Sequence, residues 1–339
     1  MKNKHLKSIL FLTFMSLFIS KVGYSQSNYG ITVFGTDKIT KDNIVKKYTS
    51  KLKSLVDLYN TDRDKYYKTK EALEKVIITL GDFSYSNIKL FKSYNDKYDF
   101  IIDFVDTKDS SKRLNYRKIN TKKFSDPNGL IAKWIEYEDL SYKLFRDGEI
   151  KDYSCPVAHC LWSFNHPKLT PYLEYFNKLT PKNKEVLIQI LNTSDSANYR
   201  ASSAFLLAHS KMSNKNILEA LMPSTHDSES TVRNNSMRVI YYIARANPEI
   251  KFNVSKIINA LDFPSFTDRN KALVILRSIP LDNLKKEDAK RLANILIEVL
   301  EKKDAHNFRN AHMVIKKWSQ KDYAVDDIES WKKWTESSF

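Results

Sequence analysis

Cys155-Pro-Val-Ala-His159-Cys160, with His166 six residues on, is the one stretch of this chain whose residue types could do chemistry together, and it holds both cysteines. Three readings compete. In an oxidising compartment, two cysteines five positions apart can close a small structural disulfide ring. Alternatively, Cys155, His159, Cys160 and His166 supply four soft donors, since thiolate and imidazole suit zinc, although their spacing matches no zinc pattern. The third reading leaves both thiols free and buried. Its enzymatic version is a Cys–His nucleophile, which adjacent residues 159 and 160 serve poorly because they point apart. The disulfide is the preferred reading, and no cofactor is implied. Gly-rich phosphate loops, a Ser-His-Asp order, H-E-x-x-H and paired-carboxylate motifs do not occur.

A second pattern is periodic. Arg200, Arg233, Arg269 and Arg309 open helix-like stretches at intervals of 33, 36 and 40 residues. A small or polar residue holds the third position after each arginine, and apolar residues tend to hold the fourth, sixth and seventh. Each stretch follows a short apolar helix, at residues 185–191, 216–222, 254–261 and 289–300, and an acid lies between the two, at Asp195, Asp227, Asp262 and Asp304. Such an acid can accept N–H groups at the next helix start. The arginine can reach the acid of its own or a neighbouring unit as a bidentate pair. The eight residues are therefore expected to form a structural ladder rather than a ligand site.

The N-terminus bears on compartment. Lys2, Lys4 and Lys7 precede an uncharged apolar run over residues 8–20, and Gly23 and Ser25 stand where a cleavage site expects small residues. The run is shorter than the ~20 residues that span a bilayer. Residues 1–25 therefore read as a signal peptide, and the chain as exported, periplasmic or extracellular. Their removal takes four lysines and no acid, so the net charge falls from +16 to +12. Export disfavours nucleic acid as the partner of that charge and favours acidic protein segments or anionic membrane surface. The simplest account is a soluble lysine-coated surface, because lysine dominates and is scattered.

Residues 29–107 read as strand, helix, helix, strand, strand. Tyr29 to Phe34 alternates with β-branched and aromatic residues. Thr40 caps a helix whose stripe is Ile44, Val45, Tyr48, Leu52, Leu55 and Val56. A second helix over residues 62–80 turns Tyr66, Leu73, Val76 and Ile77 inward and stops at Gly81. Strands at residues 86–93 and 98–105 flank an Asn95-Asp96 turn. Ile31-Thr-Val-Phe-Gly-Thr-Asp-Lys-Ile-Thr-Lys-Asp-Asn-Ile44, Leu80-Gly-Asp-Phe83 and the closing strand resemble a POTRA domain, the periplasmic module of outer-membrane assembly and secretion proteins. No barrel follows, a departure from the family pattern. The resemblance implies binding of extended peptides along a sheet edge.

Residues 108–180 read as a connecting segment. It runs from a basic linker or exposed hairpin extension at residues 108–123, through the turn Asp126-Pro-Asn-Gly129 and a helix with Ile131, Trp134, Ile135 and Leu144, to the Cys/His loop and an aromatic-rich run. Trp162, Phe164, Leu169, Tyr172, Leu173, Tyr175 and Phe176 in that run read as core. Over residues 181–339 the paired helices resemble HEAT repeats, antiparallel helix pairs stacked into a solenoid, with residues 326–334 as a terminal cap. The expected fold is thus an α+β module followed by an all-α solenoid. Together the two resemblances imply a scaffold for a protein or peptide partner in the cell envelope. The alternative is a metal protein or enzyme centred on Cys155–His166.

Overall fold

The computed structural model describes residues 29–92, 97–304 and 306–339. The signal-peptide reading and the Asn95-Asp96 turn fall outside the described residues. The chain begins with β1 (Tyr29–Phe34), α1 (Lys41–Thr61), α2 (Arg63–Ile77), β2 (Phe83–Lys92) and β3 (Tyr98–Asp106). Thr40 starts α1 with a capping box, its hydroxyl accepting from the Asn43 N–H while the Asn43 side chain accepts from the Thr40 N–H. Asp62 caps α2 through its side chain, which accepts from the Lys65 N–H. The sheet order is β1-β3-β2, with β1 parallel and β2 antiparallel to the central β3.

β3 is buried along both faces, and its two faces meet different partners. Phe100, Ile102 and Phe104 join Ile31, Val33, Ile88 and Leu90 in a cluster with Leu52, Leu55 and Leu73 of α1 and α2. The alternate residues Ile101, Asp103 and Val105 are equally buried on the opposite face. That face is covered by helices from the second half of the chain: Phe91 stacks on Phe266 at 5.5 Å, and Asp103 meets Arg269. The sheet is therefore the middle layer of three. Val76, expected inward, is 40% exposed, and Gly81 is extended rather than left-handed, because α2 ends at Ile77 and tightens into a 3-10 turn.

A short helix, α3 (Ser110–Arg113), leads to an extended stretch and then to α4 (Leu130–Arg146), whose Trp134 and Tyr137 are buried while Ile135 faces outward. α5 (Thr170–Thr193) is one helix running through Pro181, so the division at residue 180 falls inside it. Beyond it come α6 (Ala197–Leu206), α7 (Asn214–Leu221), α8 (Ser230–Ala246), α9 (Val254–Ala260), α10 (Phe266–Ser278), α11 (Lys286–Glu301), α12 (Phe308–Ser319) and α13 (Ile328–Ser338). The four arginine-led stretches are α6, α8, α10 and α12, which lie side by side in one row. α5, α7, α9 and α11 pack against them as a second row. Their apolar faces share one core with Trp134, Phe164 and Phe176, and Phe34 of β1 belongs to this core rather than to that of its own sheet. α13 closes the far end with Trp331 fully buried. Among the described residues, no helix is long and apolar enough to cross a membrane.

Candidate functional site

Cys155 and Cys160 form a disulfide. Both sulfurs are thereby consumed, and neither is available as a thiolate. His159 is buried, with its ring stacked at 4.8 Å on Phe205 and edge-on to Tyr242, while His166 faces Glu149 at 3.6 Å. The four residues considered as zinc ligands are thus engaged elsewhere, and among the described residues no group of three or more His, Cys, Asp or Glu is placed to hold a metal. A ring this short restricts the unfolded chain modestly. Replacing both cysteines with serine is expected to cost about 2 kcal/mol, measured by denaturant unfolding under oxidising conditions.

Three histidines are kept neutral by the fold. Burial lowers the pKa of His159 and of His209 to about 3, and burial together with the Lys256, Arg233 and Arg291 charges lowers that of His226 to about 4. His209 sits among Trp134, Phe164 and Phe176 with Nδ1 3.1 Å from the Asn177 Oδ1. Above pH ~6.5 folded and unfolded chains both leave these rings neutral, so they add no pH dependence. As pH falls below that value the unfolded chain binds protons that the folded chain refuses, and stability drops by about 1.4 kcal/mol per histidine per pH unit. His209→Gln should flatten the slope of unfolding free energy between pH 6 and pH 4 by one proton, as read from urea titrations.

The arginine ladder runs forward. Arg200 makes a two-point pair with Asp227 of the next unit, Nε to Oδ2 at 2.9 Å and Nη2 to Oδ1 at 2.8 Å. Arg233 reaches Asp268 at 2.7 Å, and Arg269 lies 3.5 Å from Asp304. All six groups are buried. The forward direction accounts for the ladder's start. Asp195 is exposed and outside the ladder, because no earlier unit supplies an arginine; Ser196 caps α6 in its place. Arg309, the last arginine of the row, is exposed and outside the ladder. In the third unit the acid is Asp268 rather than Asp262. α10 starts late, at the Ser265 cap, so Asp268 occupies its first turn, and Asp262 pairs with Arg291 instead.

Two arginines outside the ladder tie in the stretch at residues 108–123, expected as a linker or exposed hairpin extension. Arg113 donates to the Gly35 and Phe104 carbonyls of the sheet and, at 3.0 Å, to the Asp262 carbonyl of the helical rows. Gly35 cannot carry a side chain, since its φ is +84° and a Cβ would meet the Arg113 guanidinium at 2.1 Å. Arg117 donates to Asp227 at 2.6 Å and to the Leu191 carbonyl, and its own N–H bonds the His226 carbonyl. Lys122 bonds Thr193 and Asp195 through its backbone. This segment is a strap laid across the turns that precede α6, α8 and α10.

Two cavities open where sheet and helices meet. The larger, about 640 Å³, contains Lys112, Arg113 and Arg291 but also Asp106, Asp262 and Glu298, and Asp262 pairs with Arg291 and lies 4.0 Å from Lys112. The second, about 470 Å³, lies between β2, α8 and α10. Lys89, Arg238 and Lys271 line it, together with Asn234, Asn270 and His306, and among the described residues no Asp or Glu does. Burial lowers the pKa of Lys89 and of Arg238, and burial with the Arg238 charge lowers that of Lys271 to about 8. Sequence reasoning missed this constellation, because its members are scattered among other surface lysines and arginines. The chain matches no protein-family model, no curated protein and no solved structure.

Proposed function

We propose that this chain is an exported, non-enzymatic interaction scaffold of the cell envelope, a POTRA-like sheet module carried on a HEAT-like helical array. The β-α-α-β-β order and the two-row packing support the resemblances, and a disulfide suits an oxidising compartment. The observation that carries the reading is the asymmetry of the sheet edges. On β2 the Ile88 N–H, which points away from β3, is occupied by the Glu74 carboxylate at 2.6 Å, and the Ser86 hydroxyl bonds the Glu74 carbonyl. β1 has β3 on one side only among the described residues. An extended peptide segment of a partner adds to the β1 edge, where main-chain hydrogen bonds supply affinity. The buried junction beneath the sheet holds that edge rigidly, which lowers the cost of binding.

A photo-crosslinking side chain at Thr32 of β1, compared with one at exposed Lys53 of α1, tests the assignment in intact cells. A discrete adduct at Thr32 and none at Lys53 is expected. Equal labelling at both positions, or none at Thr32, overturns it.

A further inference from the structure

The geometry points to the cavity between β2, α8 and α10 as a binding site for a phosphorylated, hydroxyl-bearing small molecule. Lys89 reaches it from the sheet, Arg238 from α8 and Lys271 from α10, so the sheet and two neighbouring helices converge there. A half-buried cation without a counter-ion is unfavourable, and folded chains normally pair it. Elsewhere this chain does so: Arg200, Arg233 and Arg269 each face a buried carboxylate. Around this cavity the acids are committed or set back. Asp268 is taken by Arg233, Glu74 by Lys70, and Glu138 acts on Arg238 from α4 without lining the space.

The neutral lining is arranged the same way. Asn234 turns its carbonyl oxygen to the Arg238 Nε at 3.1 Å, and Asn270 turns its own to the Lys271 Nζ at 3.2 Å. Both amide NH2 groups are thereby left as donors that bond nothing within the described protein. The starts of α8 and α10, at Ser230 and Phe266, also border the cavity and add the partial positive charge of two helix N-termini.

Charge and size choose the ligand class. Three cations with amide donors suit a phosphomonoester, which carries about −1.5 to −2 at pH 7 and offers three acceptor oxygens, better than a single carboxylate. The volume of about 470 Å³ exceeds what a bare anion needs and falls in the ~300–1,000 Å³ range of small-molecule sites. The amide and hydroxyl lining suits a polyol body. That phosphoryl group could belong to a soluble sugar phosphate or to a lipid headgroup. The site does not involve the β1 edge, so it stands or falls apart from the scaffold reading.

Titration calorimetry and thermal unfolding with inorganic phosphate, a hexose 6-phosphate and the uncharged hexose test it, beside flotation with phosphatidylcholine vesicles with and without phosphatidylglycerol. The hexose phosphate is expected to bind and raise the melting temperature, inorganic phosphate to bind more weakly, and the uncharged hexose not at all. Lys271→Met and Lys89→Met should each weaken binding at least tenfold. Lys290→Met, in the larger cavity, should leave it unchanged. Flotation that depends on phosphatidylglycerol and is lost in Lys271→Met, without hexose phosphate binding, assigns the phosphoryl group to a lipid. No binding by the wild-type chain to any phosphoryl probe overturns the proposal. So does binding that survives in a folded Lys89→Met/Lys271→Met variant.

Discussion

Arg269→Met is expected to cost about 3–5 kcal/mol and to loosen the sheet from the helical rows. Arg269 is fully buried between two carboxylates, Asp103 of the sheet at 2.6 Å and Asp304 of the helical rows at 3.5 Å, with its guanidinium 3.8 Å from the Phe34 ring centre. Burial works against its charge, but Asp103 and Asp304 outweigh that and hold its pKa above the ordinary value. Methionine keeps most of the volume but leaves two buried carboxylates without a cation. The loss is therefore mainly desolvated charge rather than packing. The triple variant Arg269→Met/Asp103→Asn/Asp304→Asn should recover most of the stability, since it removes both orphaned charges. Denaturant unfolding measures the cost. A single variant within 1 kcal/mol of wild type, or a triple variant no better than the single, contradicts this account.

Asp227→Asn carries the second largest expected effect, also about 3–5 kcal/mol. One carboxylate serves three clients here: Arg200 at 2.8 Å, Arg117 at 2.6 Å and the Glu229 N–H at 2.9 Å. Asparagine fits the space but cannot answer two guanidinium groups, so Arg200 becomes a buried cation without a counter-charge, keeping only its bond to the Ser194 carbonyl. Because Arg117 belongs to the strap, the same substitution should also speed amide exchange at Arg117, whose N–H bonds the His226 carbonyl. Arg117→Met should speed that exchange with a smaller loss of global stability, because the Arg200 pair survives. Hydrogen exchange with peptide-level readout separates the two. Unchanged exchange near residue 117 in both variants would show that the strap is held by its backbone contacts alone.

Local order was legible where the chain's own neighbours decide it. The Thr40 cap, the alternation of β3 and the arginine period are patterns in the sequence itself, and the elements they mark are in place. Val76 and Ile135 read as inward because they extend an apolar stripe, yet each sits at the stripe's outer margin, where nothing packs. Partner choice was legible in part. The arginines were expected to reach an acid of their own or a neighbouring unit, as Arg200 and Arg269 do with Asp227 and Asp304, but Arg233 takes Asp268 rather than Asp262, and Arg269 also takes Asp103, 166 residues away. Arg113 and Arg117 lie in a stretch whose composition is that of a solvated linker, and only the folded turns give them carbonyls to bind. Lys89, Arg238 and Lys271 carry no local pattern at all, so the cavity they line emerges only once the sheet is stacked on the helical row.

The strap has a mechanical consequence. A stack of helix pairs touching only their neighbours behaves as a spring, because small rotations between units accumulate along its length. Here a second line of chain runs beside the stack and is fastened at three successive turns, by Lys122, Arg117 and Arg113. Stretching that side would require those fastenings to break together. The array therefore resists extension along this flank through the strap as well as through its helix contacts, so that a pull on its ends is shared between two lines of chain.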